Sequence, residues 1–186
     1  MTRLGWTILA LIIIAGGCFI LLLRGEVPRI ASRPAAPVAA APGRLKVPVA
    51  GVAAAALTDT FGDPRGDGTR SHQAIDIMAP QGTPVLAAQG GTVEKLFESK
   101  DGGHTIYLRS SDGHWTTYYA HLDSYAAGLT EGQQVAAGAI IAAVGSTGDA
   151  DAAAPHLHFE VHRMAPGEHW WQGQAIDPYP LLTRRG

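Results

Sequence analysis

The hexapeptide Pro155-His156-Leu157-His158-Phe159-Glu160 constrains this chain more than any other stretch. Side chains alternate across a β-strand, so His156 and His158 share one face while Leu157 and Phe159 point into a core. Two imidazoles side by side on rigid backbone suit a divalent metal, for which neutral imidazole is the commonest ligand. The same pattern also describes two surface histidines on an edge strand. Partners elsewhere in the chain must decide between the two.

Short apolar or alternating runs fill the region before it. They are Pro84–Gln89, Thr92–Phe97, Thr105–Arg109, Trp115–His121, Gln134–Ala136, Ile140–Val144 and Leu157–Val161. Asp101-Gly102-Gly103 and Asp112-Gly113 are strong turn sequences, the second placed as a hairpin would need it. No stretch shows helical periodicity. The fold class expected is all-β, a compact sheet or barrel-sandwich-like domain, with Gly145–Ala154 as a small-residue loop leading into the histidine strand. The Gly-spaced segments Pro84–Val93 and Gly132–Gly145 also suit a biotinyl- or lipoyl-type carrier, but no lysine stands in the Met-Lys-Met or Asp-Lys-Ala setting such a carrier needs.

Upstream, His72 and Asp76 lie four apart in Ser71-His72-Gln73-Ala74-Ile75-Asp76-Ile77. That spacing puts them on one side of either a helix or a strand, and Ile-Asp-Ile favours the strand. An acid flanked by inward-facing aliphatics costs free energy to desolvate unless a cation pairs with it. A surface pair with Asp76 in a turn is the competing reading. Together the two fragments offer imidazoles and a carboxylate, enough for a three-ligand catalytic zinc shell with a fourth position for water.

The chain's other end has a different character. Leu4–Leu23 is uncharged and bracketed by Arg3 and Arg24. As a helix it would span roughly 30 Å, the thickness of a bilayer's hydrocarbon core. It is longer than the apolar part of a signal peptide and ends in Leu21-Leu22-Leu23-Arg24 rather than at small residues, so an uncleaved anchor (residues 1–24) is expected. Cys18, the only cysteine, falls inside that run behind Ala15-Gly16-Gly17, but the apolar Phe19–Leu23 counts against a lipoprotein signal. Residues 25–46 are rich in Pro and Ala, favouring an extended tether. Residues 47–186 then form one domain. A net charge of −2 provides no basic field for nucleic acid, so no nucleic-acid partner is expected. Arg24, Arg29 and Arg33 follow the span and only Arg3 precedes it, so arginine placement does not orient it.

Taken in order, His72/Asp76, Tyr119-Ala120-His121-Leu122 and His156/His158 make a set. With Phe61-Gly62-Asp63-Pro64-Arg65, Ala79-Pro80-Gln81-Gly82-Thr83-Pro84-Val85 and Gly145-Ser146-Thr147-Gly148, this set resembles the lysostaphin-type (LytM-like) zinc endopeptidases that cut peptide bonds in bacterial peptidoglycan. The resemblance covers roughly residues 47–182. It implies one Zn2+ held by His72, Asp76 and His158, with His121 and His156 as non-ligand catalytic histidines. It also implies peptidoglycan peptide stems as substrate, cell-wall synthesis or division proteins as partners, and a domain on the periplasmic side of the cytoplasmic membrane, anchored in the bilayer by residues 4–23. Many relatives have Gly where this chain has Ala74; the added methyl should do little harm unless that position needs a positive φ. A second function class is a catalytically silent regulator of a wall amidase, a fate of relatives that have lost ligands; every ligand position is filled here.

Other residues invite plainer readings. His162 shares parity with His156, His158 and Glu160 and could lie beside the site. His104, His114 and His169 are expected at the surface or in loops. Trp170, Trp171 and Tyr179 would either line a groove or cover a sheet edge.

Overall fold

The computed structural model describes residue 43, residues 45–66 and residues 68–184. The apolar run 4–23, Cys18 and nearly all of the tether lie outside the described residues. Among the described residues no helix is long and apolar enough to cross a membrane.

Eleven strands follow a short 3-10 turn at Ala54–Ala56: β1 Pro64–Arg65, β2 Arg70–Ser71, β3 Ile75–Met78, β4 Pro84–Leu86, β5 Gly91–Ser99, β6 Gly103–Ser110, β7 Trp115–Tyr125, β8 Gln134–Val135, β9 Ile140–Val144, β10 His156–Arg163 and β11 Gln174–Ile176. One helix, α1 Tyr179–Thr183, closes the described part. The all-β expectation holds: strands account for 42% and helix for 6%. Each expected run lies on or beside a strand, and residues 145–155 form the loop before β10. The β1–β2 hairpin, β11 and α1 were not anticipated, because elements this short carry no measurable periodicity.

Nine strands make one sheet, ordered β11-β10-β7-β6-β5-β8, with β3 also paired to β10 and β9 paired to both β4 and β7. All these pairings are antiparallel. The long strand β7 is the pivot. Its first half runs beside β10, ending at the pair His158↔Ala120, and its second half runs beside β9, starting at Leu122↔Val144. His121 sits where the partner changes, with φ of 58°, alone among the described non-glycine residues in having a positive value.

The β10 pattern predicted from sequence is what forms: Leu157, Phe159 and Val161 are buried, and the alternate positions are half-buried. Those apolar side chains pack with Ile75 and Ile77 of β3 and Tyr119 of β7, whose ring lies 5.3 Å from that of Phe159. Full burial of each such side chain is worth about 1.5–3 kcal/mol. Tyr119 keeps its hydroxyl satisfied by donating to Thr117 Oγ1 at 3.1 Å and accepting from the Ala88 amide at 2.9 Å. Ala74 is fully buried without a positive φ, so the methyl in place of hydrogen is tolerated. Packing already includes Leu45, which is buried and donates its amide to Leu181 O. With one face of β3, β7 and β10 sealed by this core, the polar side chains must gather on the other.

Candidate metal centre

Asp76 lies on β3 directly opposite His158 on β10, which settles its position in a strand rather than a turn. His72 is not on that strand; it follows β2 and enters from the loop before β3. Thr60 holds the pair in place, its carbonyl accepting from His72 Nδ1 at 2.8 Å and its hydroxyl accepting from the Asp76 amide at 3.0 Å. A carbonyl can only accept, so Nδ1 of His72 carries the proton and Nε2 presents a lone pair. On His158 the assignment is reversed. Its Nε2 lies 2.9 Å from Glu160 Oε1, which must accept, leaving Nδ1 as the free nitrogen.

The three free atoms converge. His72 Nε2, His158 Nδ1 and Asp76 Oδ1 are each 3.2 Å from the other two. Three donor atoms at that spacing need a positive charge among them, supplied by a proton on His158 Nδ1 or by a metal ion. Tetrahedral zinc with ligands at about 2.0–2.1 Å would hold its donors about 3.3–3.4 Å apart, close to what is observed. His72, Asp76 and His158 are the group among the described residues that could hold a metal ion.

Electrostatics agree. Burial disfavours the charged form of Asp76, but hydrogen bonds to His158 and His72 outweigh it and hold the carboxyl far below its usual range. Burial would depress His158, yet its hydrogen bonds to Asp76 and Glu160 push it up to about 9. The Glu160 carboxyl is opposed by burial too, and His158 and His162 bring it down to about 2. Arg65 on β1 pairs with Asp76 Oδ2, and the same nitrogen lies 3.2 Å from His72 Nδ1. This set of acids around imidazoles favours a positive charge in their midst.

The other two candidate histidines flank that point. His156 donates Nδ1–H to Ala154 O at 2.9 Å and brings Nε2 to 3.9 Å from Asp76 Oδ1. His121 donates Nδ1–H to Thr147 O at 2.9 Å, and its ring lies 5.0 Å from that of His156 and 5.5 Å from that of His158. Burial lowers the His121 pKa, reinforced by the neighbouring His158 and His156. Its left-handed backbone is held by close main-chain packing. The His121 amide donates to Gly102 O at 2.8 Å, and a Cβ on Gly145 would stand 2.8 Å from His121 O and 2.4 Å from Asp123 N. All five sequence candidates therefore line one cleft of about 810 Å³, together with Arg65, Arg70, Tyr118, Asp149 and Glu160.

Sequence reasoning missed Thr60, Arg65 and Glu160 as partners of the histidine and aspartate side chains. Only Glu160 had a usable signal, its parity with His158. His162 lies beside the centre as expected, hydrogen-bonded to Glu160, whereas the other aromatics and histidines singled out from sequence lie elsewhere. Trp170 packs on Phe97 and Tyr107, Tyr179 packs against the core, and exposed Trp171 stacks on His169. His114 and His169 are exposed as expected, whereas His104 is half-buried on β6.

Comparison with known proteins bears on the same segment. The model of "Peptidase family M23" matches residues 70–178. An "L-Ala--D-Glu endopeptidase" of Bacillus subtilis is 36% identical over 129 residues, covering 66% of this chain and 38% of that enzyme. The "Peptidoglycan DD-endopeptidase ShyC" of Vibrio cholerae is 36% identical over 91 residues, covering 49% of this chain and 20% of its own length. The chain thus spans well under half of either relative. Among solved structures, the catalytic domain of the antimicrobial peptidase lysostaphin from Staphylococcus simulans superposes with a TM-score of 0.57 at 33% identity, covering 67% of this chain and 90% of that domain. The family match runs from the strand before His72 to beyond β11, enclosing His72, Asp76, His121, His156 and His158, and the chain belongs to peptidase family M23.

Proposed function

We propose that this chain is a zinc-dependent endopeptidase that hydrolyses peptide cross-links of peptidoglycan. Metallopeptidases of the family use zinc, and the observation that carries the reading is the mutual 3.2 Å spacing of His72 Nε2, Asp76 Oδ1 and His158 Nδ1. In this reading those three residues hold the ion, and His121 and His156 are the catalytic histidines. Bound zinc supplies Lewis-acid polarisation of a carbonyl and acidification of water. His121, kept neutral at pH 7 by burial, has its Nδ1 proton committed to Thr147 O, so Nε2 is free to take a proton and return it to the leaving amine. His156, committed in the same way to Ala154 O, offers Nε2 as a donor toward developing negative charge when protonated there. No HExxH motif exists in the sequence, and in this reading an imidazole takes the part of the base.

The two relatives named above carry different bond specificities in their names, L-Ala–D-Glu and DD, so the family alone leaves the bond open. Residues 1–24 serve in this reading as a single-pass anchor in the cytoplasmic membrane, and 25–46 as the tether of a domain comprising 47–186. Peptidoglycan lies outside that membrane, which would put the domain on the periplasmic side. The silent-regulator alternative loses support because all five positions keep their side chains and their geometry.

The deciding experiment incubates the purified chain and zinc with isolated sacculi and separates the muropeptides. Release of shorter, uncross-linked products that disappears with His72→Ala supports the reading, and the new termini identify the bond. An unchanged muropeptide profile alongside stimulation of an amidase would replace it with the regulator.

A further inference from the structure

The polar face of β10 does not stop at the metal centre. Beyond His158 it continues through Glu160 and His162, set against β7 in the register His158↔Ala120, Glu160↔Tyr118 and His162↔Thr116. His158 Nε2 donates to Glu160 Oε1 at 2.9 Å, and the second carboxylate oxygen accepts from His162 Nε2. These side chains are only 17–18% exposed. A carboxylate at that depth is costly unless paired, and here each oxygen is committed to a different imidazole. Being held at both oxygens, the carboxylate cannot rotate about its own axis.

An asymmetry in the centre then has a cause. His72 offers Nε2 to the shared point, whereas His158 offers Nδ1. A strand histidine can present either nitrogen by turning its ring, and nothing in the alternation of β10 selects one. We infer that Glu160, braced by His162, is a positioning residue that fixes the tautomer and ring plane of His158, so that Nδ1 faces Asp76 and His72. The inference rests on the metal reading above. Partners of ligating histidines affect affinity because they set both ring orientation and basicity.

The test is zinc affinity, measured on the purified chain by competition with a chromophoric chelator, together with long-range proton–nitrogen NMR of the histidine rings. Glu160→Ala should weaken zinc binding by about 10–100-fold. His162→Ala should weaken it less, and should add nothing in the Glu160→Ala background, because it acts through the same carboxylate. Glu160→Gln, which keeps an acceptor for His158 in the same volume, should retain the fold and lie between wild type and Glu160→Ala. In the zinc-loaded wild type, His158 should carry its proton on Nε2, and that signature should be lost in Glu160→Ala. Wild-type affinity in both Glu160 variants, or a His158 ring bound through Nε2, would overturn this inference alone. A wild-type chain that binds no zinc would overturn the metal reading on which it stands.

Discussion

His72 and His158, 86 positions apart, bring unlike nitrogens to within 3.2 Å of each other and of one Asp76 oxygen. Each ring has its other nitrogen committed, His72 to Thr60 O and His158 to Glu160 Oε1. Both rings are therefore oriented before any ion arrives, and a metal has only to displace the proton that His158 holds up to about pH 9. Preorganised ligands lose less freedom on binding, which favours a tightly held metal.

Removing one of these ligands should release the ion. His72→Ala is expected to weaken zinc binding by at least about 100-fold, exceeding the effect of a mere supporting partner. Elemental analysis after dialysis would report it, and a stoichiometric ion retained by the variant would remove His72 from the site.

His121 makes a different prediction. His121→Ala should keep zinc but lose turnover by about 10²–10⁴-fold, the usual span for a general acid–base group. Because burial lowers its pKa, the acid limb of the wild-type pH–rate profile should fall below the ordinary histidine value of 6.5. Loss of metal from the variant would make His121 a ligand instead.

Stability without metal should depend on pH in both directions. Asp76 and Glu160 have folded-state pKa values below their ordinary ones, so their contribution is present above about 4.5 and is lost on acidification, Glu160 through about 2. His158 is raised, so its contribution is present below 6.5 and is lost as pH rises through about 9. His121 is lowered, so it costs stability as pH falls below 6.5. The chelated chain should therefore melt highest close to pH 6.5, and zinc should abolish the alkaline decline by replacing the proton on His158. Calorimetry with and without chelator distinguishes this from a Tm that stays flat between pH 6.5 and 9 in chelator.

Gly145 provides a test remote from titration. Its missing Cβ would stand 2.4 Å from Asp123 N and 2.7 Å from Asp123 Cα, both backbone atoms that cannot step aside. Gly145→Ala should cost about 1–3 kcal/mol, as overpacking does, and should lower turnover further by displacing His121. Gly113→Ala, strained in φ but in open space, is the control and should leave turnover unchanged. Equal activity in both would separate the Gly145 packing from His121.

The alternation of His156, Leu157, His158 and Phe159 was enough, by itself, to predict a half-buried strand with two imidazoles on its polar face, because that property is local to one strand. The turns at Asp101-Gly102-Gly103 and Asp112-Gly113 were legible because they too are local, whereas the strand expected to carry both His72 and Asp76 holds only Asp76, and His72 enters from the loop before it. Tertiary structure decided what depends on register between strands: that β3 pairs with β10 so that Asp76 meets His158, and that β7 changes partners at His121. It also decided which nitrogen each histidine offers. That choice rests with hydrogen-bond partners such as Thr60 and Glu160, whose approach depends on folding rather than on spacing along the chain.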